Sequence, residues 1–443
     1  MGAKIRQLAQ QWELNKLWAY FFSFGWLLLE RGLNLVLGMV VAIWLARYLQ
    51  PEAFGIYNYA VSFVALFGFL SYLGLDGIVT RDLVKHPETH QRLLGTVFVL
   101  RLGGGLIAIG LIAAAAFLFI SDVTSRWLIV IISASLLFDA FNVVDFWFQS
   151  RVENKFSAAA RSVSIILGGL IYIGLIVAKA SLTAFGVAFV LQQAGKAAAL
   201  WLVYRYRGYR VTAWEYNGAL ARSLLRQSWP LIISSAGSLI YLKIDQIMLG
   251  NLVGAAEVGI YSAAVKLSEV WYVIPALAAT AIFPAIVHSK GSMANLYQER
   301  LQRAYTSMAW LGIAIAIFVS LTANFLILWL YSDAYSEAGL ILAIHIWTCP
   351  IMFMGPILSK WLIVEDLLIF SLTRHGLGAI ANIILNLILI PQFGGVGAAV
   401  ATLISYSTAV YLACFTDSRT RIAGKLMTRA LFAPLFIVRN ALR

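Results

Sequence analysis

Apolar residues along this chain gather into runs of about 20, long enough to cross a hydrocarbon core of about 30 Å as helix. Short polar segments separate them. In lipid no water satisfies an open backbone, so such runs must be helical. The pattern predicts twelve spans: 18–47, 54–80, 93–120, 126–149, 158–178, 182–204, 224–250, 257–286, 304–331, 339–362, 367–390 and 394–415. Polar residues Thr322–Asn324 interrupt the ninth and predict a broken helix there.

The basic residues test this count. Of the 33 Lys and Arg, 25 fall on the side shared by both termini, 3 fall on the other (Arg47, Arg126, Lys179), and 5 lie within spans. The positive-inside rule makes the rich side cytoplasmic. One missed span in the first half would scramble this alternation. The expected organisation is a cytoplasmic amphipathic segment at 1–17, an N-lobe of six helices at 18–208, a cytoplasmic linker at 209–223, a C-lobe of six helices at 224–415 and a basic cytoplasmic segment at 416–443. The fold class is an all-α polytopic membrane protein.

Composition agrees. The chain is 61% hydrophobic and 12% charged, against about 45–50% and about 25% in soluble domains. Its net charge of +13 is scattered between apolar runs, so nucleic acid is not an expected partner. Cys349 and Cys414 lie in apolar runs and suggest no disulfide framework. Residues Lys4–Lys16 carry Ile5, Leu8 and Trp12 at helical spacing; this reads as a helix lying on the membrane surface rather than a cleavable signal.

The chain also repeats itself. Gly55-Ile56-Tyr57 and Ala60-Val61 recur as Gly259-Ile260-Tyr261 and Ala264-Val265, an offset of 204 that Leu35/Leu239, Ile43/Ile247 and Leu45/Leu249 share. Each copy sits at the outer end of the first hairpin of a six-span half. Chance recurrence of common membrane residues is the bland alternative. A duplication predicts two six-helix bundles related by a pseudo-two-fold along the membrane normal, a transporter architecture with substrate at the repeat interface.

Charges inside the spans are costly and need a reason. Glu30 and Arg31 lie in span 1, Lys243 and Asp245 in span 7, Lys266 and Glu269 in span 8, and Arg101 and Lys196 in spans 3 and 6. Asp76, Asp139 and Asp145 lie toward the inner ends of spans 2 and 4. The plain reading is structural pairing or snorkelling, and it suits Asp76, Asp145 and Arg101. Glu30–Arg31 and Lys266–Glu269 can neutralise each other. The sharper reading makes Arg31, Lys243, Lys266 and Lys196 cations for an anionic head group, with Asp245, Glu269 and Asp76 as ion-coupling candidates.

Catalytic chemistry is not legible, and no enzyme activity or cofactor is expected. No phosphate-binding loop occurs, since Gly195-Lys196 lacks its upstream glycine and Ala follows. His86, His90, His288, His345 and His375 show no metal-ligand spacing. Gly103-Gly104-Gly105, within span 3, reads as a close helix crossing.

Four stretches carry a family likeness: LARYLQPEAFGIYNYAVSFVALFGFLSYLGLDGIVTRDL from Leu45, VVDFWFQSRVENKFSAAARS from Val143, YLKIDQIMLGNLVGAAEVGIYSAAVKLSEVWYVIPALAATAIFP from Tyr241 and GAIANIILNLILIPQFGGVGAAVATLISY from Gly378. In that order, over twelve spans, the chain resembles the polysaccharide-transport (Wzx-type) lipid-linked oligosaccharide flippases of the multidrug/oligosaccharidyl-lipid/polysaccharide exporter superfamily. The resemblance implies a V-shaped pair of bundles in the cell inner membrane, with a cationic cavity lined by helices 1, 2, 7 and 8. It implies flipping of a polyprenyl-pyrophosphate-linked oligosaccharide, such as an O-antigen unit, from the cytoplasmic to the outer leaflet. A proton or sodium ion is the candidate driver, and the bilayer and other polysaccharide-assembly membrane proteins are the expected partners. No spans follow the twelfth, which departs from a fourteen-helix form with a lipid-tail groove. Competing readings are a cation-coupled multidrug exporter of the same superfamily and, more distantly, a membrane polysaccharide polymerase or ligase.

Overall fold

A computed structural model describes residues 2–290, 294–367 and 369–433. They are helical throughout, with no strand among them. In chain order the α-helices are α1 (Gly2–Leu66), α2 (Gly68–Tyr72), α3 (Asp76–Lys85), α4 (His90–Phe119), α5 (Val123–Ser133), α6 (Val143–Ser150), α7 (Asn154–Val177) and α8 (Leu182–Tyr206). There follow α9 (Gly218–Leu252), α10 (Ala255–Glu269), α11 (Val273–Lys290), α12 (Ala294–Leu330), α13 (Ala338–His345), α14 (Cys349–Val364), α15 (Ile369–Val410) and α16 (Arg421–Leu431).

Among the described residues, nine helical runs are long and apolar enough to cross a membrane. The protein is an all-α, multi-pass membrane protein. Two of the nine absorb neighbouring spans. Glu30–Leu66 holds the first predicted span and the start of the second, and Ile369–Phe415 holds the last two. Each changes direction inside. In α1 the break falls at Gln50 (φ 60, ψ 170), because Pro51 lacks an N–H and bars the preceding residue from helical geometry. In α15 it falls at Gly394 (φ 54, ψ −133), where Glu257 accepts a hydrogen bond from the Gly395 amide at 2.6 Å. The predicted break in span 9 is absent: α12 runs unbroken, since the Thr322 hydroxyl donates back to the Phe318 carbonyl (2.9 Å) and its polarity stays within the helix. The side chains of the proposed amino-terminal surface helix lie outside the described residues, as do Arg439 and Arg443.

The chain forms two compact units, and α1 contributes to both. The first comprises the chain up to Ala42 and Phe67–Ile232. Its core gathers Leu94, Val97, Val143, Trp147, Phe148 and Tyr204. Two of the three span 3 glycines make the close crossing that the sequence predicts, while Gly103 faces open space. A methyl group on Gly104 would collide with the Leu70 carbonyl, and one on Gly105 would meet the Leu136 carbonyl at 3.0 Å.

The second unit comprises Ile43–Leu66 and the chain from Ile233 onward. Here the repeated glycines meet. A methyl group on Gly55 would strike the Ala255 carbonyl, and one on Gly259 would strike the Pro51 carbonyl. Pro51 and Ala255 are themselves related by the 204-residue offset, so the contact is reciprocal. Glycine lets the two backbones approach to contact distance, as at close crossings of membrane helices. On the same unit α16 buries Ala423, Leu426, Met427 and Ala430. Trp310 and Gln302 donate to the Ala430 and Leu426 carbonyls at 3.0 and 3.1 Å.

Candidate functional site

In the second unit a buried polar cluster joins α9, α10 and α15 through Asp245, Tyr261, Asn386 and Thr402. Lys243 and Asp245 are two residues apart on α9 and point to different sides of it. Asp245 turns inward and is 3% exposed. Lys243 stays half-buried, and its Nζ lies 3.8 Å from the Glu269 carboxylate of α10. Glu269 thus pairs with Lys243 rather than with Lys266, its neighbour one helical turn away. Lys266 goes elsewhere. Its Nζ sits 4.7 Å from the centroid of the Phe54 ring, a cation–π contact. Phe54 is fully buried and held edge-on by Tyr335, 6.2 Å away. Among the described residues no carboxylate lies within ion-pair distance of Lys266.

Asp245 is ringed by neutral donors. Tyr261 Oη donates to Oδ2 at 2.8 Å, Asn386 Nδ2 to Oδ1 at 2.6 Å, and the Thr402 hydroxyl also reaches Oδ2. A second layer ties these down. Asn386 also donates to Asn382 (3.1 Å), and Asn382 to Ser405 (3.0 Å). Burying a carboxylate is costly even with hydrogen bonds, because neutral dipoles do not cancel its charge. The arrangement therefore suits a species that brings a positive charge, either a proton on Asp245 or a small cation. Hard cations take oxygen ligands. The Asp245 carboxylate and the Thr402 hydroxyl are oxygens that meet there, while Asn386 turns its amide nitrogen to Asp245 and leaves Oδ1 buried without a hydrogen-bond partner among the described residues.

The family model described as polysaccharide biosynthesis protein matches residues 23–290, well over half the chain. The chain belongs to that family. The MatE family model matches residues 230–388. A probable flippase of Haloferax volcanii, AglR, is 29% identical over 179 residues, which cover 39% of this chain and 37% of AglR. The chain thus spans well under half the length of that curated relative. Two solved structures share the fold. A multidrug resistance transporter of the MATE family and MOP superfamily, inward-facing, has TM-score 0.67 at 16% identity, covering 89% of this chain and 96% of the other. The lipid II flippase MurJ, in an inward closed conformation, has TM-score 0.60 at 15% identity, covering 95% and 93%. These relatives are named as transporters and flippases, in line with a non-enzymatic chain. The four stretches thus pointed to a family that the polysaccharide biosynthesis model confirms over residues 23–290.

The remaining candidates lie on the first unit. Glu30 does not neutralise Arg31. It takes the Arg161 guanidinium in a two-point contact at 3.2 and 3.3 Å, and Arg161 also meets Asp145 at 2.6 Å. Arg31 is exposed. Asp76 is bound by Arg101, which is 1% exposed and also lies 4.8 Å from the Phe146 ring centroid. Lys196 is half-buried and acts electrostatically on Asp139, whose carboxylate accepts from Asn142 at 3.2 Å. Sequence reasoning missed Phe54, Tyr261, Asn382, Asn386 and Thr402 as site residues. One signal was available: Asn382 and Asn386 are amides four apart in an otherwise apolar run, on one helix face.

Proposed function

We propose that this protein is a flippase that carries a polyprenyl-pyrophosphate-linked oligosaccharide, an O-antigen or other surface-polysaccharide unit, from the cytoplasmic to the outer leaflet of the inner membrane by alternating access. The observation that carries this reading is Lys266: a half-buried ammonium in an apolar bundle, seated on an aromatic face, with no carboxylate partner among the described residues. A cation placed so seeks an anion, and a pyrophosphate supplies one through charge-assisted hydrogen bonds. Lys243, ion-paired with Glu269, lies close enough to act on Lys266 electrostatically. On the first unit Arg31 and Lys196 are proposed as further cations. The twelve spans, two six-helix bundles and cytoplasmic termini complete the proposal, supported by the 204-residue repeat and the 25-to-3 charge split. The flippase name of AglR supports the flippase activity.

Transport is proposed to be driven by a proton or sodium ion at Asp245, with Tyr261, Asn386 and Thr402 around it. Glu269, already tied to Lys243, and Asp76, tied to Arg101, are weaker coupling candidates for that reason. The multidrug-exporter alternative favours cationic cargo, and Lys266 and Lys243 repel such cargo.

The test is complementation of a flippase-null host. The wild-type gene should restore surface glycan and clear the accumulated lipid-linked oligosaccharide. Export of cationic drugs without that restoration rejects the proposal.

A further inference from the structure

The inner end of α8 builds a second kind of site on the first unit. Gly208 (φ 85) terminates the helix in the left-handed conformation that glycine adopts freely. The Gly208 amide donates to the Arg205 carbonyl at 2.9 Å and the Tyr209 amide to the Tyr204 carbonyl at 3.2 Å, the paired bonds of a Schellman turn. The Tyr204 and Tyr209 rings stack with centroids 5.0 Å apart, and Trp214 Nε1 donates to Tyr204 Oη at 3.1 Å. The chain is thereby reversed and held, and a cavity of about 520 Å³ opens between Trp201, Arg205, Tyr209, Arg210, Val211 and Thr212.

Its chemistry is one-sided. Two guanidiniums line it and no acid does. Arg205 lies 5.8 Å from the Trp201 ring centroid. Arg207, between them in sequence, is taken by Glu153 (3.2 Å) and by the Phe156 face (4.5 Å). Arg205 and Arg210 have no ion pair among the described residues. The guanidinium fork matches phosphate oxygens, and the volume is that of an ordinary ligand pocket. Trp201 belongs to the last turns of a helix long and apolar enough to cross a membrane, and Trp is enriched at membrane–water interfaces.

We propose that this cavity binds the phosphate of an anionic membrane lipid, with the guanidiniums of Arg205 and Arg210 on the phosphate and Trp201 and Val211 against the start of the acyl region. A soluble phosphate would satisfy the two arginines and leave the apolar wall uncovered. The lipid fills both.

The experiment uses the full chain, purified in detergent, with retained lipid read by native mass spectrometry after titration with phosphatidylglycerol or phosphatidylcholine. Wild type should retain phosphatidylglycerol selectively. The Arg205→Ala/Arg210→Ala double variant should lose roughly 10- to 30-fold of that retention, at about the value of one surface basic residue per arginine, with phosphatidylcholine binding unchanged. Single Arg205→Gln and Arg210→Gln variants, each expected to give part of the loss, cover failure of the double variant to fold. Equal phosphatidylglycerol retention by wild type and variants overturns the site. Displacement of the lipid by millimolar inorganic phosphate assigns the arginines to a soluble anion and overturns the lipid reading.

Discussion

Gly55 and Gly259, 204 residues apart, press their backbones together, each facing the carbonyl of the residue four positions before the other. Replacing either glycine with Val or Leu is expected to disrupt the second unit to a similar degree. Overpacking usually costs about 1–3 kcal/mol, and here the obstruction is backbone, which cannot rotate away. Thermal unfolding in detergent would register the loss. A Gly259→Val protein as stable as wild type would show that the crossing is not tight.

Removing the ammonium by Lys266→Ala should leave insertion and expression normal while translocation is lost, and Arg31→Ala should behave alike. Lys266→Arg should keep part of the activity, because a cation remains over Phe54. Surface glycan in a flippase-null host, together with flipping in vesicles, reports this. Normal flipping by Lys266→Ala removes that residue from the mechanism.

Asp245→Asn should fold, since it replaces a costly buried charge with a neutral isostere, yet lose dependence on the ion gradient. Tyr261→Phe, which deletes one donor to Asp245, should weaken that dependence without abolishing transport. Transport in vesicles with and without imposed proton or sodium gradients separates the two. Unaltered gradient dependence in Asp245→Asn excludes this carboxylate as the coupling site.

Arg161 anchors two carboxylates in the first unit, with its side chain 17% exposed against 7% for Glu30 and 16% for Asp145. Arg161→Ala strands both charges and should cost about 3–5 kcal/mol, the usual effect of breaking a buried pair. Adding Glu30→Gln and Asp145→Asn should recover much of that loss. Melting temperatures of the single and triple variants decide it.

The pattern of apolar runs and the loop arginines determined the class of this protein. Lipid excludes water from the backbone, so length and hydrophobicity alone dictate helix. The repeat was likewise legible, because an offset needs no coordinates. Pairing was not. Sequence spacing joined Glu30 to Arg31, which diverge as adjacent helix residues, and Lys266 to Glu269, which share a face, but both carboxylates took partners from other helices: Arg161 for Glu30 and Lys243 for Glu269. Only tertiary packing set Phe54 beneath Lys266 and brought Tyr261, Asn386 and Thr402 onto Asp245. Ion pairs and buried hydrogen bonds depend on distances of a few ångströms between segments far apart in the chain. A linear pattern carries no information on that scale.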